Sequence, residues 1–141
     1  MYDVSWLRSK GVKLNGTLHD TMMMASLVDE NRFNYSLNSV AYDYIGMTKQ
    51  EKELMESAKI WGVDAKAEMW RMPADSVGKY AQRDAEVTLE LWKSMQHHIQ
   101  QEQVENIFKI ETDLFPCLVD MKFKGVRFDT EKAEKLKKEF K

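Results

Sequence analysis

The sequence contains one cysteine, Cys117, among 141 residues, so no intramolecular disulfide can hold its fold together. With only three histidines beside that thiol, no zinc site is present by spacing. Proline occurs only at Pro73 and Pro116, and no low-complexity tract or internal repeat interrupts the chain. No apolar run approaches the roughly 18 residues that span a bilayer. Residues 1–8 lack the basic-then-apolar pattern of a secretory signal. A reduced, cytoplasmic setting with no membrane partner is the expectation. Positive charge is not in excess either: 21 Lys and Arg stand against 23 Asp and Glu, a formal net charge of -2. That balance excludes a protein that coats nucleic acid by charge alone.

The chain does have apolar material, 43% hydrophobic and 11% aromatic, enough for a core and too much for wholesale disorder. Its length fits one modest domain. Tyr2 to Leu7 reads as the end of a strand or a short helix, and alternation over Val12 to Leu18 predicts a strand. Asp20 stands where an N-cap belongs, ahead of a helix from Thr21 to Val28. Ser36 caps a second helix, Leu37 to Ile45, with Gly46 at its C-terminal end. Leu54, Met55, Ile60 and Trp61 form the expected buried side of the stretch 47–71. After Pro73 a long helix reaches to about Gln101, capped by Asp75 or Ser76. Val77, Tyr80, Ala81, Asp84, Val87, Thr88 and Leu91 return to one side of it. A further helix near Val104 to Lys124 carries Ile107, Ile110, Leu114, Leu118 and Met121 on one face, with Pro116 as a potential kink. Gly125 to Asp129 reads as a turn into a short strand, and Thr130 to Lys141 as a charged, solvated helix.

The residues with chemical potential are few. Tyr80 and Asp84 are four apart, so on a helix their Cβ atoms lie about 5–6 Å from each other on one face. A phenol and a carboxylate there can hold a metal ion and orient a water beside it, an arrangement suited to phosphodiester hydrolysis with hard cations. The pair alone reads more simply as a core tyrosine with an acid at its edge. Asp20 reads as a cap rather than an acid of the site, and His19 as a residue flanking that cap. His97 and His98 are expected in solvent, as is Glu86, turned well away from Asp84. Tyr35, Trp61 and Trp70 could stack on single-stranded bases, though packing of a variable loop is the simpler role for the two tryptophans.

The wider string Tyr80-Ala81-Gln82-Arg83-Asp84-Ala85-Glu86-Val87-Thr88-Leu89 resembles the third motif of the 3′-5′ proofreading exonuclease domain in bacterial and phage family A, Klenow-like DNA polymerases. Tyr2-Asp3 with Trp6-Leu7 is similar to the end of the second motif. Leu18 to Met22, Ser36 to Ala41, and Phe115 to Asp129 with Gly125-Val126-Arg127-Phe128-Asp129 resemble later segments of that domain and its junction with the polymerase. The resemblance implies a DEDDy-type, RNase H-like α/β fold and a two-metal site of four acids holding Mg2+ or Mn2+. Asp3 matches the second-motif acid, Asp84 the third-motif acid, and Tyr80 the residue that orients the attacking water at the substrate's terminus.

The family's first motif, Asp-x-Glu, should precede Asp3, and no such motif does. The expectation is therefore a fragment, mostly helical with a small sheet remnant near residues 1–18. Residues 1–110 would form the C-terminal part of the exonuclease domain, and 111–141 the linker and start of the polymerase domain. The implied partners are a single-stranded 3′ end of DNA and the polymerase domain of the same parent chain. Two carboxylates cannot neutralise two divalent ions, so the fragment alone is expected to bind metal weakly and hydrolyse little or nothing. The alternative is a catalytically inert exonuclease-like module that binds DNA or acts as a scaffold.

Overall fold

Side-chain capping sets several of the helix starts. The computed structural model describes residues 2–49 and 51–140, and among them lie seven α-helices: α1 (Tyr2–Ser9), α2 (Thr21–Val28), α3 (Leu37–Ile45), α4 (Glu51–Trp61), α5 (Ala74–Gln101), α6 (Glu105–Lys124) and α7 (Thr130–Glu139). The Asp20 carboxylate accepts from the Met22 and Met23 N–H groups at the head of α2. Ser36 caps α3 through the Ser39 N–H, and Gly46 ends that helix with φ 63°, in the left-handed region where a side chain is strained. Asp129 caps α7 by accepting from the Lys132 N–H at 2.9 Å.

The chain divides into two compact units. One is His19–Ile110; the other combines the residues up to Leu18 with those from Glu111 onward. In the first, α5 supplies the row Val87, Leu91, Met95 and Ile99, spaced by four. This row packs against Met24 and Ala25 of α2 and Val40 and Ala41 of α3. Four such side chains, each excluded from water, are the main apolar stabilisation of this unit. Leu54 and Ala58 of α4 form a second cluster with Ala65 and Met72, against which Val77 and Tyr80 of α5 pack. One long helix thus carries two clusters, and Tyr80 is placed by the second. In the other unit, Phe115 and Val119 of α6 are buried with Thr112. Arg8 of α1 pairs with Asp120 and lies over the Phe123 ring.

Several expectations need correction. No strand occurs among the described residues: Tyr2–Ser9 is helical, residues 12–18 are irregular, and so are 125–129. A strand needs a neighbour for its N–H and C=O groups, and these residues offer no second extended segment that pairs with 12–18. The fold is helical here, without the small sheet remnant. The cap of α5 is Pro73, whose carbonyl accepts from the Ser76 and Val77 N–H groups. Asp75 therefore falls in the first turn, where its charge favours the helix dipole, and neither Asp75 nor Ser76 is the cap. In α4, Met55 and Ile60 project about 100° and 120° to either side of Leu54, so both are exposed. Trp61, on the Leu54 side but at the last turn, is exposed as well. In α6 the row Ile107, Ile110, Leu114 and Met121 is largely exposed, because the buried row runs through Thr112, Phe115 and Val119, roughly a quarter turn or more away. The helix continues through Pro116. Of the three consecutive methionines only Met24 is fully buried, since neighbours on a helix differ by about 100°.

Candidate active site

Tyr80 and Asp84 occupy successive turns of α5, and both are half-buried. Helical spacing brings them to one face, as expected for i and i+4. What joins them comes from elsewhere in the chain. Lys49, in the loop after α3, donates from Nζ to Asp84 Oδ2 at 2.9 Å and to the Tyr80 hydroxyl at 3.3 Å. Its ammonium also lies 5.4 Å from the centre of the Tyr80 ring, a cation–π distance. The Lys49 main chain is pinned in turn, its N–H donating to Asn38 Oδ1 of α3 at 2.8 Å.

The Lys49 side chain is only 19% exposed and that of Asp84 27%. Burial alone would pull the lysine below its ordinary value. The hydrogen bonds to Asp84 and Tyr80 outweigh that effect, so the ammonium is held above the usual lysine range. The other carboxylate oxygen, Asp84 Oδ1, is buried and has no hydrogen-bond partner among the described residues. An unsatisfied buried acceptor of this kind is rare and costly. A groove of about 420 Å3 opens beside Tyr80, with Ser36, Asn38, Lys49 and Lys66 on its walls.

The remaining residues separate cleanly. Asp3 lies in the first turn of α1, exposed, in the unit that does not contain α5. Asp20 caps α2. His19 accepts from Trp92 Nε1 at 2.7 Å and meets the Phe108 ring edge-on. His97 is exposed as expected, but His98 is half-buried and packs edge-on against Tyr44 at 4.9 Å, because α3 covers that side of α5. Glu86 is exposed and accepts from Gln82. Tyr35 is bound into the main core and donates to the Asp29 carbonyl. Trp61 and Trp70 are exposed rather than packed into the loop between α4 and α5. Among the described residues, no three His, Cys, Asp or Glu side chains gather into a set that could hold a metal ion.

Lys49 escaped the sequence reading. A single lysine between Thr48 and Gln50 belongs to no motif, and it meets its partners across 31 and 35 residues of chain. No local signal could have found it.

Comparison with known proteins identifies the family. The family model for the 3′-5′ exonuclease of family A DNA polymerases matches residues 1–100. Among curated proteins, a DNA polymerase DpoZ of Salmonella phage PMBT28 is 31% identical over 140 residues, covering 95% of this chain and 22% of the polymerase. A DNA polymerase DpoZ of Acinetobacter phage SH-Ab 15497 is 29% identical over 140 residues, covering 95% and 22%. DNA polymerase I of Chloroflexus aurantiacus is 23% identical over 141 residues, covering 99% and 14%. The chain thus spans about a fifth of the length of the phage relatives. Because the family match takes in most of its residues, the chain belongs to the 3′-5′ exonuclease family of family A DNA polymerases.

Proposed function

We propose that this chain supplies part of the proofreading exonuclease site of a DNA polymerase, with Asp84 as a metal-holding acid and Tyr80 as the group that orients the attacking water. The observation that carries the proposal is the convergence of the Asp84 carboxylate and the Tyr80 hydroxyl on one cation, the Lys49 ammonium. A place on the protein where a carboxylate and a phenol already share one positive charge is electrostatically prepared for a cation. The unpartnered Asp84 Oδ1 supports the same reading: with only Oδ2 hydrogen-bonded, the carboxylate keeps acceptor capacity for a hard ion.

The family is one that works with divalent metal ions. We assign Asp84 to holding such an ion, Mg2+ or Mn2+, and Asp3 to the same task on the strength of its match to the family's second motif alone. When bound, such ions stabilise the charge that builds on the attacking and leaving oxygens. Tyr80 contributes orientation: its hydroxyl hydrogen-bonds a water and aligns it with the terminal phosphodiester of a single-stranded 3′ end. Attack of the water forms a new P–O bond and breaks the bond to the 3′ oxygen of the preceding nucleotide, which takes up a proton as the strand's new 3′ hydroxyl, and a nucleoside monophosphate leaves. The groove beside Tyr80 carries Lys49 and Lys66 on its walls, paired with the carboxylates of Asp84 and Glu51 respectively.

Residues 1–110 are assigned to the exonuclease domain and 111–141 to the lead into a polymerase domain of the same parent chain. The support is that the family match ends at residue 100 while the polymerases align over nearly the whole chain. The proposed setting is the cytoplasm of a bacterial or phage-infected cell, a reading supported by the phage and bacterial polymerases that the chain resembles. Alone, the 141 residues are expected to hydrolyse little, since two carboxylates cannot neutralise two divalent ions. The deciding experiment uses the full parent chain. Asp84→Ala should abolish magnesium-dependent 3′ trimming of single-stranded DNA, and undiminished trimming would remove Asp84 from the site.

A further inference from the structure

We propose that Lys49 is the resident counter-ion of the Asp84 seat and is displaced when a divalent cation binds, so that metal loading and release of the Lys49 ammonium from Asp84 and Tyr80 are one event. The proposal rests on the reading of Asp84 as a metal-holding acid.

Three observations carry it. First, Asp84 Oδ1 is closed to solvent, so a cation reaching the carboxylate from water arrives on the Oδ2 side, where the ammonium sits at 2.9 Å. An ammonium and a divalent ion cannot both hold that oxygen, because like charges a few ångströms apart in a half-buried site repel strongly. Second, the residue is built to move only at its tip. Its main-chain N–H is anchored to Asn38, and its flexible four-carbon stem has a groove of about 420 Å3 beside it into which the ammonium can turn. Third, the ammonium also binds the Tyr80 hydroxyl, so its departure frees the phenol oxygen for a water. Lys49 is then a positioning residue. It keeps a buried carboxylate neutralised and a phenol in place while metal is absent, and yields both when metal enters.

The test measures Mn2+ binding to the full parent chain by calorimetry and electron paramagnetic resonance, alongside lysine 15N-ammonium NMR. Lys49→Met keeps the stem and removes the competitor, and should tighten Mn2+ binding about tenfold or more, the scale of one lost charge-assisted hydrogen bond. Lys49→Arg should stay near the wild type. Lys66→Met is the control for a charge on the same groove with no contact to Asp84, and should change the affinity by less than about twofold. In the wild type, saturating Mg2+ should abolish the hydrogen-bonded Lys49 ammonium signal, a measurement independent of whether any variant folds. If Mn2+ binding depends on Asp84 but Lys49→Met leaves it unchanged or weaker, or if the Lys49 signal survives saturating Mg2+, displacement is wrong and the role of Asp84 stands. If Asp84→Asn leaves Mn2+ binding unaltered, the reading of Asp84 fails, and displacement with it.

Discussion

The role of Tyr80 can be separated from its packing by one atom. Its ring is part of the cluster around Leu54, Ala58, Ala65 and Met72, while its hydroxyl accepts a hydrogen bond from Lys49. Tyr80→Phe keeps the ring and deletes only the oxygen. The lost hydrogen bond is 3.3 Å long and half-buried, so stability should fall by no more than about 1–1.5 kcal/mol. Lys49 retains its bond to Asp84 in that variant, which further limits the loss. Tyr80→Ala also removes the ring from the cluster and should cost about 1–3 kcal/mol, less than a fully buried aromatic because the residue is half-buried. Trimming should follow a different order. If the hydroxyl orients the attacking water, Tyr80→Phe should slow magnesium-dependent trimming of a 3′-labelled single strand by about 100-fold, though it barely moves the denaturation midpoint. The assay is single-turnover digestion by the full parent chain, paired with urea denaturation of the same samples. A Tyr80→Phe protein that trims at the wild-type rate would refute the assignment, and would leave Tyr80 as a packing residue of the α4–α5 contact.

Other expectations address the scaffold. Leu91, fully excluded from solvent in the α2–α3–α5 core, should cost about 2–5 kcal/mol when changed to Ala, read as a drop in the urea midpoint at unchanged slope. Asp20→Ala removes the acceptor for two N–H groups at the head of α2 and should cost about 1 kcal/mol, whereas Asp20→Asn should restore most of it. The Lys49 ammonium is held above its ordinary value of 10.5 by its bonds to Asp84 and Tyr80. A group whose folded value is raised stabilises the fold fully below its unfolded value and loses that contribution as pH rises through the folded one. Stability should therefore decline above about pH 10.5 in the wild type, and Lys49→Met should show a shallower decline when denaturation is followed over pH 9 to 12. An identical slope in the two proteins would show that the pair adds nothing to alkaline stability.

The placement of Lys49 also explains how α5 carries a half-buried acid. A half-buried carboxylate with no counter-charge would destabilise the helix that carries it. Here the loop after α3 delivers one positive charge to the same face of α5 that presents Asp84 and Tyr80. The electrostatics of the site and the packing of α4 beneath Tyr80 thus meet on a single turn of helix.

Apart from the cap of α5, what the chain writes within a turn or two of itself was largely legible in its sequence. Asp20 and Ser36 cap α2 and α3 because a cap bonds N–H groups two or three residues ahead, and Gly46 ends α3 because its own backbone can take a positive φ. Tyr80 and Asp84 share a face because the spacing of four is a property of any helix. The second set of facts depends on distant contacts. Residues 12–18 alternate as a strand would, yet alternation cannot supply the neighbouring strand. The apolar row of α6 through Ile107 and Leu114 has helical period, but the period does not say which row a partner covers, and Phe115 and Val119 are the ones buried. Lys49 reaches Asp84 only because α3 and α5 pack together and carry the loop after α3 to that side of the site. Local hydrogen bonding and helical geometry act over a few residues and leave a pattern there; burial and ion pairing act through space, and only the assembled helices decide them.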